Sequence, residues 1–558
     1  MELTLNQTLE KATSLLSEDK FEKAKTLYQS ILEVEPSHLV ANINLSITLQ
    51  LLGNLKEAEI SYKKTLTINP VNRLLRNNLG IVLHDLKKLD EAESVFKKAI
   101  ELGQSTFETY ISLGKLLIEQ GKLEEAEINY KKAIELKPDR FNAFNNLGVL
   151  LHKLGKFDKA VVIYKKAIEL KPDFIEAYYN LANALMKLDR LKESETNYRK
   201  AIKLDPTYIL ALHNLALLLE KIGKPDEGEA CYKKIIELKS DYVQAYYNLG
   251  KLLNAQGRFK EAEVNLKKVI LLKPNYLSVH HNLGLIFFER YQFKNAVDQF
   301  LLSDLHVSKL FLLKCFFELD EKSNFYNHLD HLIKKDENNA VIGSMISRSN
   351  IRYETNKSNT FCNNPLKYSL TTDLTKICNF KNVFINAAND ILRNIKVPRR
   401  IQGLLTSGNQ TVGNLFTTKD INTNEIQSTI HSEIEKYRHI FRDSEEGFLK
   451  NWPKNYYLYG WIVCMKNGGK ISPHMHEYGW LSGSIYINVP KKLKPDSGNL
   501  VVCIEDEKKL TDKNNNQKKS IDVVTGSLAL FPSSLLHYTI PFVSKEDRIV
   551  LAFDIIPK

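Results

Sequence analysis

The first part of the chain follows a hydrophobic pattern that repeats every 34 residues. Small residues occupy one position of the pattern, namely Gly80, Gly114, Gly148, Ala182, Ala216, Gly250 and Gly284. Proline occupies another, at Pro36, Pro70, Pro138, Pro172, Pro206 and Pro274. Small residues let two helices pack closely, and proline ends a helix because it lacks an N–H group. The pattern therefore predicts about nine helix-turn-helix units between residues 5 and 310.

This register resembles the tetratricopeptide repeat, a helix-turn-helix unit of the same length that stacks into a superhelix. The resemblance implies an all-α array over residues 1–310 that holds a protein or peptide on its concave surface. The register ends there, and residues 311–349 keep a helical pattern, which predicts a cap. Residues 350–365 are rich in Asn, Ser and Thr, which predicts a linker to a second domain.

Asparagine occupies a further position of the repeat, two residues before the small residue. The series is Asn44, Asn78, Asn146, Asn180, Asn214, Asn248 and Asn282. A side-chain amide offers one donor and one acceptor group, so a row of amides on the concave helices matches the backbone of an extended peptide. The array resembles the asparagine-lined repeats of O-linked N-acetylglucosamine transferases, which hold peptides in this way. Two roles stay open for these residues: peptide binding, or a hydrogen bond to a neighbouring helix.

After residue 366 the pattern changes to strand-like alternation. A helix is predicted at 424–441, and alternating segments follow at 455–465, 482–489, 499–506, 527–532 and 548–556. Turn sequences such as NGGK and PDSGN separate these segments. Many short strands predict a β-sandwich or barrel of about eight strands over residues 366–558, with helices on one side.

Three histidines in this second region form a candidate metal site. His474 and His476 lie on one face if their segment is extended, and His537 follows a later strand. Two close histidines and a third from a distant strand can form one side of a metal site and leave other positions open. Arg548 begins the last strand, where its guanidinium group can bind a carboxylate through two N–H groups.

The order PHMH, then LFPSSLLHYTIP, then Arg548 resembles the Fe(II)/2-oxoglutarate-dependent oxygenases, most closely the bacterial ones that follow tetratricopeptide arrays. The resemblance covers residues 366–558 and implies a double-stranded β-helix fold of the jelly-roll or cupin-like kind. It implies Fe(II) bound by His474 and His537, and 2-oxoglutarate as co-substrate. Arg548 would bind the distal carboxylate of that acid, and the reaction would be hydroxylation of a C–H bond.

His476 departs from the wider superfamily, which has Asp or Glu at this place as an iron ligand. Glu477 is adjacent, but alternation directs it to the opposite face. Three alternatives are open: a site of three histidines, a carboxylate contributed from elsewhere, or an incomplete ligand set. Val550 stands where many relatives have serine, and we expect Tyr486 to supply the missing hydroxyl group.

The net charge of +12 does not indicate nucleic-acid binding, because the lysines alternate with glutamates at helical spacing and solvate outer faces. No run of about eighteen apolar residues predicts a membrane span, and the N-terminus has no secretory signal pattern. The six cysteines lack a CxxC pair, which argues against structural zinc and disulfides and favours a cytoplasmic protein.

The sequence as a whole favours an Fe(II)- and 2-oxoglutarate-dependent dioxygenase whose repeats recruit a protein or peptide substrate. The alternative is a non-catalytic interaction scaffold whose barrel is a degenerate metal-binding domain. Turnover of 2-oxoglutarate distinguishes the two hypotheses.

Overall fold

The structure is a computed structural model that describes residues 4–103, 105–303, 305–335, 338–393, 397, 399–400, 404–418, 422–505 and 517–558. The chain forms two compact units, Met1–Leu219 and Glu220–Lys558. The described part of the first unit consists of helices and their short connections, whereas the second unit begins with helices and ends with antiparallel strands. The predicted fold class, an all-α repeat array followed by a mainly-β region, is confirmed.

Helices of the first unit follow the predicted register. They are α1 (Leu5–Ser17), α2 (Phe21–Val34), α3 (Leu39–Leu51), α4 (Leu55–Ile68), α5 (Arg73–Asp85), α6 (Leu89–Glu101), α7 (Phe107–Glu119), α8 (Leu123–Leu136), α9 (Phe141–Lys153), α10 (Phe157–Leu170), α11 (Ile175–Lys187), α12 (Leu191–Leu204) and α13 (Ile209–Lys221). The last two residues of α13 belong to the second unit.

The second unit continues the same register. Its first helices are α14 (Pro225–Leu238), α15 (Val243–Ala255), α16 (Phe259–Leu272), α17 (Ser278–Glu289) and α18 (Phe293–Leu302). In the described part of the chain, α1 to α12 form six pairs of adjacent helices within the first unit, and α15 to α18 form two pairs within the second. The count of about nine units stays a prediction.

Contacts between paired helices explain why the repeat needs a small residue at one position. A Cβ atom added to Gly148 would lie 2.5 Å from Cε1 of Tyr164, a buried side chain of the partner helix. Gly114 meets Tyr130 in the same way. The aromatic ring packs directly against the backbone of the first helix, so a large side chain there would force the pair apart.

The predicted cap is helical, and it consists of α19 (His306–Glu318), α20 (Lys322–Lys334) and α21 (Ala340–Arg352). The residues after α21 are packed, although their polar composition predicts a linker. Phe361 is fully buried and its ring centroid lies 5.1 Å from that of Trp480. Buried Asn359 donates a hydrogen bond of 2.7 Å to the carbonyl group of Gly343. The predicted linker is therefore anchored in the hydrophobic core by two of its apolar residues, Phe361 and Cys362.

The β-region contains two antiparallel sheets. Its strands are β1 (Leu370–Asp373), β2 (Arg399–Arg400), β3 (Leu405–Thr411), β4 (Tyr456–Ile471), β5 (Leu481–Asn488), β6 (Leu500–Cys503), β7 (Lys518–Ile521), β8 (Ser527–Pro532), β9 (Leu536–Thr539) and β10 (Arg548–Pro557). The larger sheet has the order β1-β8-β5-β10-β4-β3-β2, and the smaller has the order β7-β6-β9.

The larger sheet is covered on both faces. One face packs against helices α22 (Ala387–Arg393), α23 (Asn424–Ile440) and α24 (Gly447–Lys450), through residues such as Ile462 and Phe553. The other face shares a core with the smaller sheet, where Met465 and Phe531 meet Val502. Helix α23 confirms the predicted helix, and the helices lie on one side of the sheets as expected.

Neither a membrane-spanning helix nor a disulfide is found in the described residues. The helices there are too short or too polar to cross a bilayer. None of the six cysteines forms a disulfide with another described residue.

Candidate metal centre

Two of the three predicted histidines are joined through their backbones. His474 lies in the segment between β4 and β5, residues 472–480, here called the histidine loop, and His537 lies in β9. The His537 N–H donates to the His474 carbonyl group at 2.8 Å, and the His474 N–H donates in return at 3.2 Å. Their ring centroids are 4.3 Å apart. A backbone bridge thus holds two imidazoles side by side.

Hydrogen bonds fix the tautomers of His474 and His476. The Nδ1–H group of His474 donates to the carbonyl oxygen of Ser472 at 2.9 Å, and that of His476 donates to Oδ1 of Asp554 at 2.7 Å. A carbonyl or carboxylate oxygen only accepts, so each Nδ1 carries a hydrogen, and in the neutral form of each ring Nε2 carries a lone pair. The two Nε2 atoms are 3.3 Å apart. Two lone pairs this close repel each other unless a cation lies between them, which fits a shared metal ion.

His537 completes the group. Its side chain is buried and its Nδ1 atom has no hydrogen-bond partner. One ligand atom from each of the three histidines lies within 4.8 Å of the others. Burial holds the pKa of His537 well below its usual range, and it lowers that of His474 to about 4, with His476 adding to both effects. Both rings are therefore neutral at pH 7, which metal binding requires.

Asp554 is a residue of the site that the sequence analysis missed. It lies in β10, is 5% exposed, and accepts hydrogen bonds from His476 and from the Ser482 hydroxyl group, both at 2.7 Å. A carboxylate in this position orients a metal-binding imidazole and makes it more basic. Among the described residues the three histidines form the metal-binding group without a carboxylate, so Asp554 contributes by holding His476.

A cavity of about 740 Å³ opens beside the histidines. Its wall includes the aromatic side chains of Tyr457, Tyr459, Trp461, Tyr478 and Tyr486, together with Val550, Ala552 and Asp554 of β10. Tyr478 is 68% exposed and lies at the mouth. The cavity is large enough for a small organic acid and one side chain of a substrate.

Arg548 is a buried cation without a described carboxylate partner. It is 1% exposed, and its Nε and Nη2 atoms lack hydrogen-bond partners. Burial lowers its pKa, and its guanidinium carbon lies 5.0 Å from the ring centroid of Tyr486. Gly498 makes room for it, since a Cβ atom there would lie 2.7 Å from Nη1. A buried cation of this kind is costly unless an anion pairs with it.

The structure does not place Arg548 on the wall of the histidine cavity. It lines a separate space of about 10 Å³ with Gly498 and Phe542. Tyr486 contacts both places, because it lines the cavity and lies against the Arg548 guanidinium group. Tyr486 thus connects the histidine cavity with the buried guanidinium group of Arg548.

Family comparisons agree with both parts of the chain. Models described as tetratricopeptide repeats match residues 40–72, 74–109, 114–155, 150–189, 175–208, 197–230 and 243–276. A model described as "Putative 2OG-Fe(II) oxygenase" matches residues 460–554, which include all three histidines, Arg548 and Asp554. The chain therefore contains tetratricopeptide repeats between residues 40 and 276 and a C-terminal "Putative 2OG-Fe(II) oxygenase" domain at residues 460–554.

Solved structures similar to the chain are repeat proteins. MamA is 26% identical over 29% of this chain and 95% of its own, with a TM-score of 0.28. YrrB, described as a TPR protein with an unusual peptide-binding site, is 23% identical over 34% of this chain and 96% of its own, with a TM-score of 0.30. A tetratricopeptide repeat protein from Parabacteroides merdae is 23% identical over 45% of this chain and 98% of its own, with a TM-score of 0.36. The curated proteins contain no match.

Glu477 lines the same cavity as the three histidines, in a segment that is a turn rather than a strand, so the expected alternation does not apply there. Its carboxylate pairs with Lys314 of α19. Among the described residues, the group that could hold a metal ion consists of the three histidines and does not include Glu477.

In the tetratricopeptide repeats, the asparagine series makes hydrogen bonds between neighbouring repeats. Nδ2 of Asn44 donates to the Tyr28 hydroxyl group at 3.1 Å, and Nδ2 of Asn78 donates to that of Tyr62 at 3.3 Å. The same kind of bond joins Asn180 to Asn145 at 3.1 Å, Asn214 to Tyr179 at 3.2 Å and to Asn183 at 2.8 Å, and Asn282 to Tyr247 at 3.0 Å. Of the two roles that the sequence leaves open, the structural one is observed. The peptide-binding role of the series, which includes Asn146 and Asn248, stays a prediction.

Proposed function

We propose that the chain is an Fe(II)- and 2-oxoglutarate-dependent dioxygenase that hydroxylates a protein or peptide recruited by its repeats. One observation carries the proposal: the lone pairs of His474 and His476 meet 3.3 Å apart, beside buried His537, whose Nδ1 atom has no partner. Two such lone pairs are unfavourable side by side without a cation, and a group of three imidazoles suits Fe(II).

His474, His476 and His537 would hold the metal, and Asp554 would keep His476 in its metal-binding tautomer. Iron bound there would supply the redox chemistry in which 2-oxoglutarate, O₂ and a substrate C–H bond become succinate, CO₂ and a C–OH group. Three imidazoles leave the site one unit more positive than two imidazoles and a carboxylate. This extra charge favours binding of an acid beside the histidines.

Arg548 is our candidate partner for the distal carboxylate of 2-oxoglutarate. Arg548 is buried, and its Nε and Nη2 atoms have no hydrogen-bond partner among the described residues. A bound carboxylate would supply both the missing hydrogen bonds and the missing negative charge. Tyr486 would supply the neighbouring hydroxyl group, because its ring touches both the cavity and Arg548.

The substrate in this proposal is a polypeptide. Tetratricopeptide repeats commonly bind extended peptide segments, and a segment held by the array has a raised effective concentration at an active site in the same chain. The open, aromatic mouth of the histidine cavity suits entry of a single side chain, with Tyr457 and Tyr478 exposed at 40% and 68%.

A turnover assay tests the proposal. Purified chain with Fe(II), ascorbate, O₂ and 2-oxoglutarate should produce succinate even without the substrate, slowly, and His537→Ala should abolish this product. His439→Ala is the matched control, since His439 is exposed on α23. Fe(II) binding without any succinate, with or without candidate peptides, would favour the scaffold with a degenerate metal-binding domain.

A further inference from the structure

An ion pair connects the cap helices to the histidine loop. Lys314 of α19 pairs with Glu477, the residue that follows His476. Their side chains are 13% and 28% exposed, so the pair is largely shielded from water. Lys314 also lies 4.7 Å from the ring centroid of Phe311 on its own helix, which restricts where its ammonium group can go. A shielded pair with restricted partners holds its two elements together better than a surface pair does.

The histidine loop needs such a contact at this place. His474 is held by the backbone bridge to His537, and at the end of the loop the Trp480 N–H donates to the Ile555 carbonyl group at 2.8 Å. Between these two points, the described backbone groups of residues 475–479 make the local bond from the Gly479 N–H to the His476 carbonyl group. His476 is instead fixed by side chains. Asp554 holds its ring from one side, and Lys314 holds its neighbour Glu477 from the other.

A second ion pair from the cap reaches the strands that carry His537. Arg348 of α21 pairs with Glu505, the second residue after β6, with Nη2 and Oε1 2.9 Å apart. Glu318 of α19 lies 3.5 Å from the same guanidinium group. Strand β6 pairs with β9, and Val502 stands opposite His537 in that register.

We propose that these two contacts, here called the cap ion pairs, position the metal centre. Lys314–Glu477 sets the place of His476, and Arg348–Glu505 sets the place of the strand pair that holds His537. The cap helices thereby couple the end of the repeat array to the geometry of the three histidines. The inference rests on the proposed function, since it concerns the same metal site.

Anaerobic titration of the full chain with Fe(II) tests the inference, using Lys314→Met, which keeps the aliphatic stem and removes the charge. Removing a positive charge near a metal cation would by itself strengthen metal binding. If the ion pair positions His476, its loss should instead weaken Fe(II) binding by about tenfold, which is the lower end of what contacts that support a metal ligand contribute. Lys314→Arg should restore most of the affinity. Lys309→Met on the same helix is the control, because Lys309 makes no ion pair with any described residue.

A double-mutant cycle with Glu477→Gln shows whether the two residues act as one unit. The double variant should bind Fe(II) about as weakly as either single variant, because each change removes the same contact. Arg348→Met, with Glu505→Gln as its partner variant, applies the same test to the second pair. These measurements remain informative if one variant fails to fold, which circular dichroism detects.

The outcomes separate this inference from the proposed function. If the natural chain bound no Fe(II), both would fall. If the natural chain bound Fe(II) and Lys314→Met and Arg348→Met bound it equally well or more tightly, the proposed function would stand and the positioning role would be wrong.

Discussion

His476 donates its Nδ1 hydrogen to Asp554 across a distance of 2.7 Å, and this bond determines which nitrogen faces the other histidines. Asp554 also accepts from Ser482, whose oxygen lies 2.8 Å from that of Ser533. A chain of buried polar groups thus ends on the His476 imidazole. The site thus contains a carboxylate, that of Asp554. It does not take the ligand place that His476 occupies but holds the His476 imidazole from behind.

Asp554→Asn should weaken Fe(II) binding by about 10- to 100-fold, because the imidazole loses the negative partner that orients it and raises its basicity. Anaerobic calorimetry or competition with a chelator measures the change. Asp547→Asn is the control, since Asp547 accepts a hydrogen bond from the thiol of half-buried Cys464 rather than from a histidine. Equal Fe(II) affinity in Asp554→Asn and the natural chain would mean that His476 does not bind the metal.

Arg548→Met should raise the 2-oxoglutarate concentration needed for half-maximal succinate formation by about 100-fold, since a buried charge pair contributes several kcal/mol. Fe(II) affinity should stay within about twofold, because Arg548 does not line the histidine cavity. Arg442→Met, on the exposed side of the domain, should leave both quantities unchanged. A normal 2-oxoglutarate requirement in Arg548→Met would place the distal carboxylate elsewhere.

Variants of Asn146 and Asn214 distinguish the structural role of the asparagine series from its peptide-binding role. Asn214 makes two hydrogen bonds to the preceding repeat, so Asn214→Ala should lower the free energy of unfolding by about 1 to 2 kcal/mol. Asn146 makes no side-chain hydrogen bond to a described residue, so Asn146→Ala should leave stability nearly unchanged.

Peptide capture is then measured on the stable variant. If the series binds peptide, Asn146→Ala should weaken capture of substrate while uncoupled turnover of 2-oxoglutarate continues. Normal capture by Asn146→Ala, combined with the stability loss in Asn214→Ala, would show that the series is structural.

Glu93 should make the repeat array sensitive to acid. Burial raises its pKa, but hydrogen bonds from Lys122 and Lys97 outweigh burial and hold the pKa at about 2, below the ordinary value of 4.5. Its contribution is therefore present above about pH 4.5 and is lost as the pH falls toward 2.

Glu93→Gln should lower the free energy of unfolding by about 1 kcal/mol at pH 7, after allowance for solvent screening. The difference from the natural chain should shrink as the pH falls below 4.5. Denaturant unfolding at several pH values measures this, with Glu10→Gln as an exposed control. A difference that grew on acidification would contradict the assignment.

The repeat array was predictable because each unit repeats one close contact. A glycine at the small position faces an aromatic ring, as at Gly148 and Tyr164, and the need for that contact leaves the same residue types every 34 positions. In the second unit, long apolar strands such as β5 and β10 also stand out in the sequence. Short or polar strands such as β7 and β9 do not, because pairing with neighbours rather than their own composition makes them strands.

The site was predictable only in part, for a similar reason. His474, His476 and His537 carry a recognisable order, and the structure brings them together. Asp554 sits within the apolar run of β10, where its role depends on which face of the strand meets His476. A contact between distant segments, such as that of Lys314 with Glu477, cannot be recognised in the sequence. Lysine and glutamate are common throughout the chain, and no fixed number of residues separates two that pair in this way.

The most direct test of the central claim is anaerobic titration of the purified chain with Fe(II) and then with 2-oxoglutarate, followed by visible spectroscopy. Chelation of iron by 2-oxoglutarate at a histidine site should give a weak charge-transfer band, and the band should be absent in His474→Ala and His537→Ala. A chain that binds neither Fe(II) nor 2-oxoglutarate, or whose band survives in both variants, would contradict the assignment of these histidines as an iron centre.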